Sequence, residues 1–154
     1  MVEFLIIFFA EYLGSILVAA FLVFWWQNRK KQPRFLWQTI AAAVLSRGIV
    51  TEAIRFFWER PRPFVEQNLT PLIEHAASSS FPSGHAALFF AIAAVVYAYN
   101  KKAGLFFFAG AVLIGIGRVL AGLHLPSDIV GGAVVGVLSG ILVVQLSKRI
   151  WKNK

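Results

Sequence analysis

VEFLIIFFAEYLGSILVAAFLVFWW, residues 2–26, decides the fold class. Glu3 and Glu11 are its only charges. A hydrocarbon core needs about 20 apolar residues of helix, and this run supplies them. No basic residue precedes it, and it is too long for the apolar part of a cleavable signal. Arg29, Lys30, Lys31 and Arg34 follow it instead. The expectation is a retained first membrane helix.

Working outward, four more apolar stretches of similar size follow. The five expected spans cover 3–26, 35–57, 81–99, 104–121 and 128–147. The connections 27–34, 58–80, 100–103 and 122–127 leave no room for a soluble unit. The expected architecture is therefore all-α: a polytopic membrane helix bundle in one domain, 1–154. Composition agrees. Hydrophobic residues make up 58% and charged residues 14%, against about a quarter charged in soluble domains. Mean hydropathy is +0.71. The net charge of +8 could suggest nucleic acid, but the basic residues cluster between apolar runs, as membrane topology requires. With no cysteine, disulfides and thiol chemistry are excluded.

The basic clusters set a direction. They lie in 27–34, at Lys101 and Lys102, and at Lys148, Arg149, Lys152 and Lys154. Five spans put all three on one face, cytoplasmic by the positive-inside rule. The N-terminus is then outside and the C-terminus cytoplasmic. Arg60 and Arg62, in Arg60-Pro61-Arg62-Pro63, are the basic residues of the outer loops. They oppose the rule, which assigns them another task.

Polar residues recur at the outer ends of the spans. Arg55, Arg60 and Arg62 lie at the end of the second, and Ser83, Gly84 and His85 open the third. Arg118 closes the fourth, His124 lies in the next turn, and Asp128 starts the fifth. Packed as one bundle, these make one pocket at headgroup level. Arginine forks suit phosphate oxygens. Pro82-Ser83-Gly84-His85 reads as a helix start, with proline in the first turn and an anion-binding N-terminus. Asp128 can hold one imidazole nitrogen of His124 and leave the other free as nucleophile or base; it could also serve as a helix cap.

These residues resemble the three motifs of the phosphatidic acid phosphatase type 2 superfamily. The family patterns are Lys-x6-Arg-Pro, Pro-Ser-Gly-His and Ser-Arg-x5-His-x3-Asp. Here they read Arg55-x6-Arg62-Pro63, Pro82-Ser83-Gly84-His85 and Gly117-Arg118-x5-His124-x3-Asp128. The motif core spans 55–132. The resemblance implies an integral membrane lipid phosphatase with neither metal nor cofactor. His124 would attack phosphorus and form a phosphohistidine, Asp128 would orient it, and His85 would protonate the leaving oxygen. Arg55, Arg62, Ser83, Gly84 and Arg118 would bind phosphate. Two positions depart from the pattern, Arg55 for lysine and Gly117 for serine.

The implied partners are the bilayer and a phosphorylated lipid, not nucleic acid. The implied place is a bacterial plasma (inner) membrane, with the site facing the periplasm or exterior. The Arg60–Phe64 run resembles members acting on undecaprenyl diphosphate; phosphatidylglycerol phosphate, phosphatidic acid and lipid A stay open. A reading of another class is an anion or lipid-headgroup transporter.

Several residues outside the motifs carry expectations. Glu11 and Arg47 fall inside spans and are read as an intramembrane ion pair or a polar lining of the substrate's path. Glu52 is read as orienting Arg55 or snorkelling to the surface. Arg60 is a second headgroup contact or a solvated residue, and His75 a solvated loop residue. Gly132, Gly136 and Gly140 are read as packing within the bundle. Leu69, Leu72, Ile73 and Ala76 have the spacing of a short interfacial helix or form a loop.

Overall fold

The computed structural model describes residues 1–66, 70–73, 75–76 and 78–152. Every regular element among them is helical. Helix α1 covers Val2–Asn28, with a π-helical turn at Phe8–Tyr12. Helix α2 runs without a break over 35–57 and is π-helical at Val44–Val50. The short α3 is Pro63–Glu66. Helices α4, α5 and α6 are Gly84–Tyr99, Lys101–Leu120 and Pro126–Lys152. Helices α1, α5 and α6 are long and apolar enough to cross a membrane, and α4 is a shorter apolar helix.

The all-α architecture is as expected, with one local correction. The third expected span begins at Gly84 rather than 81. Ser83 is its N-cap, so Pro82 stands ahead of the cap instead of in the first turn. Of the two readings of Leu69–Ala76, a short helix or a loop, the described positions follow the loop: Leu72 and Ile73 lie in a bend, and Ala76 is irregular. Leu69 itself lies outside the described residues.

Helix α4 is the axis of the bundle. Its alanines 86, 87, 91, 93 and 94 are buried together with Val95 and Val96. Their small side chains let α5 and α6 pack along it. The glycines of α6 complete the fit, as their four-residue spacing led us to expect. A Cβ on Gly136 would lie 2.9 Å from the Ala91 amide nitrogen, and one on Gly140 would lie 2.8 Å from Ala94 Cβ. The N-terminal turns of α1 pack on α5, whereas α2 packs on α4 and α6. Leu105, Phe106, Ile116, Val130 and Leu138 point outward and are exposed. Such a face is costly in water and suited to acyl chains.

One end of the bundle gathers the basic segments. Tyr99 donates to Gln38 Oε1 at 2.5 Å, and Phe35 meets Tyr99 edge to face at 4.9 Å. Arg34 lies over Trp151, 4.1 Å from its ring centroid. The connections 27–34 and 100–103 therefore share an end with the C-terminal segment. The motif residues sit at the other.

Candidate active site

Local structure explains how distant segments meet there. Gly122, at φ 77°, ends α5 in a left-handed turn, which glycine adopts without the strain a Cβ brings. The Leu123 amide turns back to the Arg118 carbonyl at 3.1 Å. His124 is thereby set beside Arg118, and α6 starts two residues later. The Ser83 amide donates to the Asp128 carbonyl at 2.9 Å, which ties the start of α4 to the start of α6. The Ser83 hydroxyl accepts from the Ala86 amide.

His124 is buried, and its two nitrogens face different partners. Nδ1 lies 3.4 Å from Asp128 Oδ2, long for a hydrogen bond and without another partner among the described residues; such contacts often tighten when substrate binds. Nε2 lies 3.4 Å from Arg62 Nη1. A guanidinium only donates, so Nε2 presents its lone pair and the proton belongs on Nδ1. Burial lowers the imidazole pKa below 6.5, and the Asp128 contact opposes that shift. The ring is neutral at neutral pH.

Asp128 is fully buried in the first turn of α6, not at its cap. Oδ2 accepts from the Leu125 amide at 2.9 Å, and Oδ1 from Arg60 Nη1 at 3.1 Å. Arg60 also donates to Ser127 Oγ at 2.9 Å. This arginine, expected as a headgroup contact or a solvated residue, instead braces the carboxylate.

Arg62 is buried and held on three sides. Nε donates to the Ser78 carbonyl at 3.1 Å, Nη2 to Ser78 Oγ at 3.2 Å, and Nη1 to the Leu123 carbonyl at 3.2 Å. Burial, then the charges of Arg55 and Arg118, lower its pKa to about 10, so it stays cationic. Sequence reasoning missed Ser78; the run of three serines at 78–80 was the available signal.

Arg118 Nη2 lies 2.7 Å from His85 Nε2. That nitrogen must accept here, so His85 can donate a proton from Nε2 only once Arg118 has moved onto an anion and Nε2 has itself been protonated. Arg55 Nη2 donates to the Pro82 carbonyl at 3.0 Å, and Nη1 to Glu52 Oε1 at 3.2 Å. The Nε groups of Arg55 and Arg118 are buried donors without an acceptor among the described residues. Thus His124, His85, Asp128, Arg55, Arg62, Ser83, Gly84 and Arg118 all come to one end of the bundle.

The Glu11–Arg47 ion pair is not formed. Arg47 pairs with Glu52. The cause is the π-helical register around Arg47, which brings residues five apart toward one face. Glu11 lies across the site on α1, where its charge acts on Arg118. The π-turn that carries it packs on Gly117, where a Cβ would stand 2.6 Å from the Ala10 nitrogen. The glycine in place of the family serine thus permits the docking of α1. His75 is half-buried in the loop near Phe64 and Pro71, and burial, then Arg62, lowers its pKa.

A groove of about 340 Å³ runs from the site between α1 and α4. Glu11, Ser15 and His85 form its polar part, and Val18, Leu88 and Phe89 its apolar part.

Comparison with known proteins identifies the family. The family model of the PAP2 superfamily matches residues 35–152. The chain is 32% identical to the bacitracin transport permease protein BcrC of Bacillus licheniformis, over 93% of this chain and 70% of that protein. It is 29% identical to the undecaprenyl-diphosphatase BcrC of Bacillus subtilis, over 93% and 74%. The crystal structure of Aquifex aeolicus LpxE superposes with a TM-score of 0.77 at 30% identity, covering 94% of this chain and 86% of that one. The chain therefore belongs to the PAP2 superfamily and is a membrane phosphoric ester hydrolase of the lipid phosphatase kind.

Proposed function

We propose that the protein hydrolyses a polyprenyl diphosphate of the undecaprenyl type at the outer face of a bacterial membrane, through a phosphohistidine. The observation that carries this reading is the two-sided setting of His124. Asp128 stands at Nδ1, and on the other side Arg62 Nη1 donates to the Nε2 lone pair over a long 3.4 Å, a contact that a phosphate oxygen can take over.

In the proposed first step Nε2 of His124 attacks the terminal phosphorus. Arg55, Arg62, Arg118 and the amides at the start of α4 hold its oxygens, stabilising charge in the transition state. Asp128 stabilises the imidazolium that forms. The bond from phosphorus to the bridging oxygen breaks, and that oxygen keeps the electron pair as part of the lipid phosphate. Water then attacks the phosphohistidine, releasing inorganic phosphate and restoring neutral His124. With a monoester the leaving group is a poor alkoxide, and His85 must protonate it.

Topology in this reading has five spans, with α2 and α4 crossing beside the three long helices. The basic end is cytoplasmic by the positive-inside rule, which faces the site outward. The whole chain, 1–154, acts as one domain. Transport, suggested by one relative's name, fits less well: a transporter holds its charged site near the midplane, and this cluster lies at one end.

The test is phosphate release by purified protein in detergent. The panel pairs a polyprenyl diphosphate with a polyprenyl monophosphate, phosphatidic acid and phosphatidylglycerol phosphate. The expected result is a preference for the diphosphate of tenfold or more (~1.4 kcal/mol), lost in His124→Ala. A preference for any monoester overturns the substrate assignment, and full activity in His124→Ala overturns the mechanism.

A further inference from the structure

Arg47 belongs to none of the three motifs. Its guanidinium nevertheless lies against the backbone of the phosphate-binding motif. A Cβ on Gly84 would stand 2.7 Å from Arg47 Cδ and 2.8 Å from its Cζ. A side chain at position 84 and this placement of Arg47 exclude each other. The next residue, His85, lines the groove between α1 and α4. Arg47 thus packs on Gly84 from α2, and its charge also acts on His85.

Its present partner is an anion shared with the site. Glu52 binds Arg47 and also accepts from Arg55 at 3.2 Å. The side chains of Arg47 and Glu52 are 42% and 49% exposed, so this contact is open to exchange. A carboxylate bridging two guanidiniums marks a place where a phosphate oxygen would bind equally well.

We propose that Arg47 binds the lipid-proximal phosphate of a diphosphate substrate and stabilises it as the leaving group. This rests on the diphosphatase reading above. The acyl or prenyl tail occupies the apolar groove, so the phosphate attached to it lies at the groove's inner end, beside His85 and Arg47. The terminal phosphate lies further in, against Arg62, Arg118 and His124. As the bridging P–O bond breaks, the electron pair and a full negative charge pass to the proximal phosphate. A cation there acts on the transition state more than on the bound substrate. A monoester places no phosphate at that position and gains nothing from Arg47.

The experiment compares wild type, Arg47→Gln and Arg47→Lys on a polyprenyl diphosphate and a polyprenyl monophosphate, with thermal unfolding of each protein. In Arg47→Gln we expect kcat/KM for the diphosphate to fall about tenfold or more, the effect of one lost charged hydrogen bond. The monophosphate should change less than about threefold, and Arg47→Lys should recover part of the loss. Equal losses on both substrates overturn the proposal. Binding supplies an arm independent of turnover: inhibition by inorganic pyrophosphate should weaken in Arg47→Gln while inhibition by inorganic phosphate does not. Parallel weakening, or none, overturns it. A wild type that prefers monophosphates refutes the diphosphatase reading instead, and the two inhibitors still decide the role of Arg47.

Discussion

Restoring the family serine at position 117 is expected to damage this protein. The reason is visible at the contact between α5 and α1. A Cβ on Gly117 would stand 2.6 Å from the Ala10 nitrogen and 2.9 Å from both the carbonyl carbon and the Cβ of Phe9. Ordinary contact begins near 3.4 Å, so α1 must retreat by about 0.8 Å. Two of the three obstructing atoms are backbone, which cannot rotate aside. Overpacking of this kind costs about 1–3 kcal/mol. For a chain of this size that corresponds to a melting temperature lower by about 2–12 °C. The shift would also carry Glu11 away from Arg118 and widen the groove beside His85, so activity should fall with stability. Thermal unfolding in detergent reads the first effect and phosphate release the second. Gly117→Ala carries the same Cβ and should lose most of what Gly117→Ser loses. Gly48→Ala is the control, because a Cβ there meets only Val44 Cγ1 at 4.0 Å. The reasoning fails if Gly117→Ala melts with the wild type, since the obstruction would then not be the Cβ.

Three further outcomes follow from the site. Because burial holds the His124 imidazole below pKa 6.5, the acid limb of kcat/KM should lie below pH 6.5. The same shift makes the unfolded chain the better proton acceptor, so stability should fall as pH drops below about 6.5; unfolding at pH 7.5 and 5.5, with His124→Gln reducing the difference, checks this. His85→Ala should cost monoester hydrolysis about a hundredfold or more, the scale of a general acid, and diphosphate hydrolysis less than about tenfold; equal loss on the two substrates would reject its role as acid. Arg62→Lys keeps the charge but cannot keep contacts to Ser78, Leu123 and phosphate together. It should lower kcat/KM about tenfold or more, and near-normal turnover would show that charge alone suffices.

Much of this was legible because the signals were local and periodic. The apolar runs announced helices, and the motif spacing named His85, His124 and Asp128 before any contact was known. The glycines of α6 announced close packing. Register and partner choice were less visible. The π-helical stretches of α1 and α2 have no marker in the apolar pattern, yet one of them aims Arg47 at Glu52 instead of Glu11. Arg60 could not be assigned to Asp128 across 68 positions of sequence. Ser78 was hidden because its contribution is half backbone: its carbonyl and its hydroxyl both hold Arg62. The departure at Gly117 was visible in the motif, but its reason lies in the fold, where it is the space that α1 occupies.

The carboxylates explain how so many guanidiniums stay together without substrate. Arg47, Arg55, Arg60, Arg62 and Arg118 converge on one end of a largely apolar bundle, where like charges repel strongly. Glu52 lies between Arg47 and Arg55, Asp128 anchors Arg60, and Glu11 acts on Arg118. Arg62 is treated differently. Among the described residues its partners are neutral acceptors, two from Ser78 and one from Leu123, which fix its orientation. It is also the arginine beside His124 Nε2. In the proposed mechanism the guanidinium nearest His124 thus keeps its field for the incoming phosphate, while the outer ones would exchange a carboxylate for a phosphate oxygen of similar charge. Exchange of like for like costs little reorganisation, which is the property a site must have to bind a dianion at a membrane surface and release it again.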